Sequence, residues 1–268
     1  MCVNCLSRRR FAQITLGLAA AGLTGAAPAR AKTRMPPSLP LVMLDPGHGG
    51  HDPGAIAPDG MFEKHITLAT GLTLRQSLLA TRRYRVRMTR MRDVFIPLET
   101  RVADAVAAKA DLFLSLHCDH LPDSALRGAS IFTLSNTASD KLAASIADDE
   151  NNAGAARAPM TGVSPQVAGI LASLETRATK LGSATLAQDL KNSFKGMIPL
   201  LPDPRRSANF AVLRDPSTPS TLLEMGCLTN PLDEARLRNP RQRAVLTKQI
   251  TAAIDLYFEH FAGGRMAG

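Results

Sequence analysis

From residue 41 onward, apolar positions follow two alternating patterns: short continuous or period-two runs, and longer stripes with helical spacing. Residues 41–45, Leu-Val-Met-Leu-Asp, form a nearly unbroken apolar run, which predicts a buried strand. Residues 65–80 place Ile66, Leu68, Ala69, Leu72, Leu78 and Leu79 at helical spacing, and residues 84–88 then alternate as a strand does. A second helix is predicted over 98–109, strands over 112–117, 130–134, 211–213 and 221–225, and a closing amphipathic helix over 241–261. Such alternation predicts a single α/β domain around a mostly parallel sheet of about six strands, with helices on both faces. No internal repeat interrupts it. Residues 135–165 do not fit the minimal alternation. A helix candidate at 140–149 is followed there by a polar stretch containing Gly and Pro, before another helix near Val167. The segment reads as an insertion, and one this long is functional or disordered.

The N-terminal residues read as an address. Arg8, Arg9 and Arg10 precede Phe11, the stretch from Ile14 to Ala27 is apolar and rich in Ala and Gly, and Ala29-Arg30-Ala31 supplies a small-x-small cleavage pattern. The twin arginine fits a Tat-type signal peptide over residues 1–31, with an ordinary Sec signal as the alternative. The stretch is too short and too weakly apolar to span a bilayer, and no later segment qualifies. A soluble periplasmic protein is therefore expected, with a Pro-rich linker over 32–40 and the domain proper over 41–262. Loss of the leader's four Arg lowers the formal charge of the 268-residue chain from +9 to +5. That mild excess suits a polyanionic partner surface or simple solvation. At 45% hydrophobic the chain can bury a full core, while 4% aromatic residues and no Trp argue against a sugar-stacking or single-strand nucleic-acid platform. The export address also opposes a nucleic-acid role.

Candidate chemistry gathers where strands end. Asp45-Pro46-Gly47-His48-Gly49-Gly50 follows the first strand directly, and ligands of open α/β sheets bind at the carboxyl ends of strands. Neither dinucleotide nor P-loop spacing is present, so a phosphate-cradling reading is weak. His117 ends another predicted strand and Glu63 stands just before the first helix, so two imidazoles and a carboxylate can converge at one sheet edge. That set suffices for Zn2+ and leaves a coordination position open, the mark of a catalytic rather than a structural site, where a bound water's pKa falls to about 7. Cobalt or manganese would suit the same donors. Glu224 ends an apolar strand, where a carboxylate is costly without a partner or a task. It suits a general base, with pairing to one of the many Arg as the alternative. Cys2 and Cys5 fall in the discarded leader. Cys118 and Cys227 are expected as two buried free thiols, with a disulfide between them as the alternative.

These residues resemble the zinc-dependent N-acetylmuramoyl-L-alanine amidases of the bacterial cell wall, with the catalytic domain alone matched. The likeness rests on Leu44 to Gly50 with Asp52 to Ala55, Glu63-Lys64, Thr89-Arg90, Pro97-Leu98 through Arg101-Val102, Ser115-Leu116-His117, Phe210 to Leu213, and Leu223-Glu224 through Thr229-Asn230-Pro231. It implies that His48, Glu63 and His117 bind zinc and that Glu224 is the catalytic glutamate. It also implies the substrate, the amide joining the lactyl group of N-acetylmuramic acid to L-alanine in peptidoglycan, cut during wall remodelling and daughter-cell separation. Cys118 departs from the small residue usual after His117 in the family, which bears on packing behind the metal. Division-linked members carry a helix that covers the site until an activator protein displaces it. The insertion at 135–165 is expected to act so, with Glu150, ahead of Asp148 and Asp149, occupying the open zinc position in a resting enzyme expected to be a monomer. An activator would act by binding only the uncovered form. The rival readings are a zinc peptidase cutting within the stem peptide and a non-catalytic peptidoglycan-binding module.

Overall fold

A computed structural model describes residues 38–153 and 177–264. The expected leader at 1–31, most of the expected linker, residues 154–165 of the expected insertion and the expected helix start near Val167 lie outside the described residues.

The strands are β1 (Leu41–Pro46), β2 (Arg85–Met88), β3 (Leu112–Asp119), β4 (Ala129–Leu134), β5 (Leu200–Ala208) and β6 (Ser220–Cys227). The helices are α1 (Glu63–Ala80), α2 (Leu98–Ala108), α3 (Lys141–Asn152), α4 (Arg177–Phe194), α5 (Pro231–Arg238) and α6 (Pro240–Gly264). One sheet runs in the order β2-β1-β3-β6-β4-β5, and only the β4/β6 pairing is antiparallel. The expected fold class, an α/β domain on a mostly parallel six-stranded sheet, is therefore observed.

Both sheet faces are covered, which is why β1, β3 and β6 are buried along their whole lengths and read as continuous apolar runs. One face carries Val42, Leu44, Leu114, Leu116 and Leu223 against Ile66, Leu74 and Leu78 of α1, Leu186 and Leu190 of α4, and Ile250 and Ile254 of α6. The other carries Met43, Phe113, Phe132 and Leu222 against Ala105 of α2, Val212 and Leu213, and Ala143, Ile146 and Ala147 of α3. Because side chains alternate along a strand, His117 and Glu224 share this second face with Phe113 and Leu222.

Two elements depart from expectation. Residues Ala211–Leu213 form a 3-10 turn rather than a strand, and the edge strand is instead β5. Pro202, Pro204 and two Arg disguise β5 in sequence. Its register against β4 shifts between Ala129 and Ile131, so the prolines sit where ladder donors are not needed. The short helix α5 was also not anticipated. Asn230 caps it by accepting from Leu232 N and Asp233 N, with Pro231 opening the first turn. Among the described residues, no helix is long and apolar enough to cross a membrane.

Candidate metal centre

The carboxyl ends of β1, β3 and β6 meet at one edge, and the site is built there. β1 ends at Pro46, Gly47 N donates to Leu116 O (3.0 Å), and the chain then turns sharply at His48 (φ 58°). Gly47 has no alternative at its position, since a Cβ there would collide with the His117 ring. Glu63 is the first residue of α1 rather than a residue before it, so its carboxylate lies at the positive end of the helix. Its Oε2 accepts from Ala55 N (2.8 Å) and its Oε1 from Cys118 N (2.8 Å), which fixes it between the β1–α1 loop and β3.

Four side chains converge: one ligand-capable atom from each of His48, Glu63, His117 and Glu150 lies within 4.8 Å of the other three. His48 Nε2 stands 2.9 Å from Glu63 Oε2 and 3.1 Å from His117 Nδ1. His117 Nδ1 is 3.3 Å from Glu63 Oε1 and 2.9 Å from Glu150 Oε2, which is also 3.6 Å from His48 Nε2. Glu150 comes from α3, whose N-terminus Asp140 caps by accepting from Ala143 N. Asp149 lines the same cavity, of about 510 Å³, without joining the cluster, and Asp148 does neither.

Electrostatics in the cluster are strongly coupled. Burial would discharge the two imidazoles, but Glu63 and Glu150 hold His48 well above the ordinary histidine range, and Glu150 and Glu63 lift His117 to about 9. Burial would likewise raise Glu63, yet His48 and His117 hold it far below the carboxylate range. Two neutral-capable imidazoles and hard carboxylate oxygens, desolvated and mutually close, are a donor set that fits a divalent metal.

Glu224 lies directly across the ladder from His117 on one side and from Ser130 on the other. It is fully buried, and among the described residues neither carboxylate oxygen has a hydrogen-bond partner. The Arg pairing considered from sequence is not formed with any Arg among the described residues. Burial, followed by the nearby charges of Asp119, Glu150 and Glu63, pushes Glu224 well above the carboxylate range. Asp119, at the end of β3, is raised to about 8 by burial, Glu150 and Glu63. Asp119 accepts from Ser130 Oγ (3.3 Å), whereas a buried acid without a partner, as Glu224 is, is rare and marks a site with a task. Cys118 and Cys227 are both buried free thiols.

Several contributing residues escaped the sequence reading as site residues. Asp52 Oδ2 lies 3.0 Å from His48 Nδ1, and the signal was an acid four residues after a candidate ligand. Arg101 is fully buried and paired with Asp45 (2.7 Å), which also accepts from Thr89 Oγ1 and Ser115 Oγ. The guanidinium holds Asp45 below its ordinary range although burial opposes this.

An open α/β sheet carrying a His/Glu donor cluster and an unpartnered acid at its carboxyl edge defines a class: an enzyme site able to hold a metal ion. Within that class the chain belongs to the N-acetylmuramoyl-L-alanine amidase family, whose model matches residues 42–255. It is an amidase, a hydrolase of cell-wall material. It is 38% identical over 232 residues to the N-acetylmuramoyl-L-alanine amidase AmiA of Salmonella typhimurium, covering 86% of this chain and 80% of that protein. Against the N-acetylmuramoyl-L-alanine amidase AmiC of Neisseria meningitidis it is 37% identical over 226 residues, covering 81% of this chain but spanning only about half (52%) of AmiC. Its fold superposes on the CwlD amidase of Clostridioides difficile, solved in complex with the GerS lipoprotein. The TM-score is 0.60 at 21% identity, over 82% of this chain and 98% of that one.

Proposed function

We propose that this protein is a periplasmic, zinc-dependent amidase that hydrolyses the bond between the lactyl group of N-acetylmuramic acid and L-alanine in peptidoglycan. It serves wall remodelling and daughter-cell separation, and it rests in an autoinhibited state. The observation that carries this reading is the four-donor cluster in which the fourth donor, Glu150, comes from a helix in the inserted segment.

His48, Glu63 and His117 are the ligands, and Glu150 takes the position that a catalytic site leaves open. Zinc bound there would lower the pKa of a coordinated water to about 7 and polarise the scissile carbonyl. Glu224 does the proton work. Burial, with Asp119 and Glu150 nearby, holds it protonated, and departure of Glu150 removes one of the negative charges that add to that effect. As a carboxylate, Glu224 accepts a proton from the attacking water while the new carbon–oxygen bond forms. It then delivers that proton to the alanine nitrogen as the carbon–nitrogen bond breaks. The products are a lactyl carboxylate and a peptide with a free L-Ala amino terminus.

An activator protein would displace α3 by binding the uncovered form. That a structural neighbour is solved in complex with a lipoprotein supports partner binding on this fold. The protein acts as a monomer. Peptide release from purified sacculi tests the reading. Glu150→Ala should release peptide faster than wild type, and a chelator should abolish release until zinc is restored. Release by Glu150→Ala no faster than wild type would remove the autoinhibition, and release in chelator would remove the zinc.

A further inference from the structure

The backbone of the His48 segment is gripped from beneath by two buried guanidinium groups. Arg101 Nη2 donates to His48 O (2.8 Å) and Nη1 to Pro46 O (2.9 Å). Arg90 Nε donates to Pro46 O (2.8 Å) and Nη2 to Gly47 O (2.7 Å), which also accepts from Thr67 Oγ1 (2.9 Å). This grip accounts for a non-glycine residue in the left-handed region, a conformation that persists only where surroundings over-determine it. What the clamp leaves undetermined is rotation of the His48 ring about its Cβ–Cγ bond. A half-turn would put carbon where Nε2 now faces Glu63 and His117.

Asp52 removes that freedom. Its Oδ2 lies 3.0 Å from His48 Nδ1. Its other oxygen accepts from Gly54 N (3.1 Å), and its backbone is tied to Gly49 through both Gly49 N to Asp52 O (3.0 Å) and Asp52 N to Gly49 O (3.2 Å). The carboxylate is thus itself immobilised, buried, and offered to the one ring nitrogen that does not face the cluster. Gly54 completes the fit, since a Cβ there would press on both the His48 ring and Glu63.

We propose that Asp52 is a positioning residue, which engages Nδ1 of the His48 imidazole and so keeps Nε2 turned toward Glu63 and His117, where it would ligate the metal. It contributes no atom to the four-donor cluster. The inference rests on the reading of His48 as a metal ligand. Carboxylates so placed behind a ligating histidine fix its tautomer and raise its basicity, and their loss lowers metal affinity about 10- to 100-fold.

Zinc affinity of the full chain, measured by competition with a chromophoric chelator, tests this in wild type, Asp52→Asn, Asp52→Ala and His48→Ala. Asp52→Ala should bind zinc about 10- to 100-fold more weakly than wild type. Asp52→Asn keeps an acceptor oxygen and should fall between them, while the metal-free melting temperatures stay together. Zinc binding by Asp52→Ala within about twofold of wild type would overturn the proposal. So would a destabilised Asp52→Ala beside an Asp52→Asn that binds as wild type does, since that pattern marks structural support only. Undiminished binding by His48→Ala would instead strike the ligand reading itself.

Discussion

At the scale of single residues, the proposed function is concentrated in groups whose environment contradicts their chemistry. Glu224 is the clearest, a fully buried carboxyl with no hydrogen-bond partner among the described residues. Glu224→Gln should retain bound zinc while peptide release falls by about 10²- to 10⁴-fold, the usual contribution of a positioned acid/base. Parallel metal analysis and release assays check it, and near-wild-type release would contradict the role. The imidazoles make a second prediction for the metal-free protein. His117 has a folded-state value of about 9, above its ordinary 6.5, so its stabilising charge is fully present below pH 6.5 and lost as pH rises through about 9. Asp119, raised to about 8, stays protonated in the fold where the unfolded chain has already ionised, so it also favours the fold less as pH rises. The melting temperature of metal-free protein should therefore fall between pH 6 and 9, with His117 alone accounting for on the order of 3 kcal/mol. A flat or rising profile would contradict this. Zinc, which competes with protons for the same nitrogens, should reverse the slope. His48, His117 and Glu224 stood out as candidates because each follows or ends an apolar strand run, and Glu63 because it stands at the start of a predicted helix. Asp52 and Arg101 were not, because their meaning depends on a loop closing and on a short helix turning its Arg inward, neither of which periodicity encodes.

At the scale of elements, α3 is what carries Glu150 into the donor cluster. Its apolar stripe of Ala143, Ile146 and Ala147 is buried, and polar latches close both ends. Asp140 pairs with Arg206 (2.5 Å) and Ser139 N donates to Ser207 O (2.8 Å). At the other end, Asn151 Nδ2 donates to Asn209 O (2.8 Å) and its Oδ1 accepts from Ala211 N (2.7 Å), one residue beyond Glu150. Asn151→Ala removes both bonds, worth about 1–3 kcal/mol together, and so should favour the uncovered form by roughly 5- to 150-fold. Basal peptide release without an activator should rise accordingly. Unchanged release with intact helix content would show that the latch does not hold Glu150 in place. The elements themselves were largely foreseeable. β1, β3 and β6 announce themselves as unbroken apolar runs because both faces of the sheet are covered, and α1 and α6 by helical spacing. β5 was hidden because an edge strand tolerates the prolines and arginines that argue against a central one. Ala211–Leu213 misled because three apolar residues are too few to tell a strand from a tight turn.

At the scale of the whole molecule, one sheet brings residues distant in sequence to a single edge: His48 after β1, His117 in β3, Glu224 in β6 and Glu150 on an intervening helix. The family match over residues 42–255 embraces all of them, so the four clustered donors and Glu224 belong to one domain. Product chemistry tests the central claim most directly, because a peptidase acting within the stem would use the same metal chemistry with a differently shaped pocket. The measurement is mass spectrometry of soluble material released from purified peptidoglycan by zinc-loaded Glu150→Ala protein. The account predicts intact stem peptides that begin at L-Ala with a free amino terminus. Peptides cleaved inside the stem, with L-Ala still attached to the glycan, would contradict it.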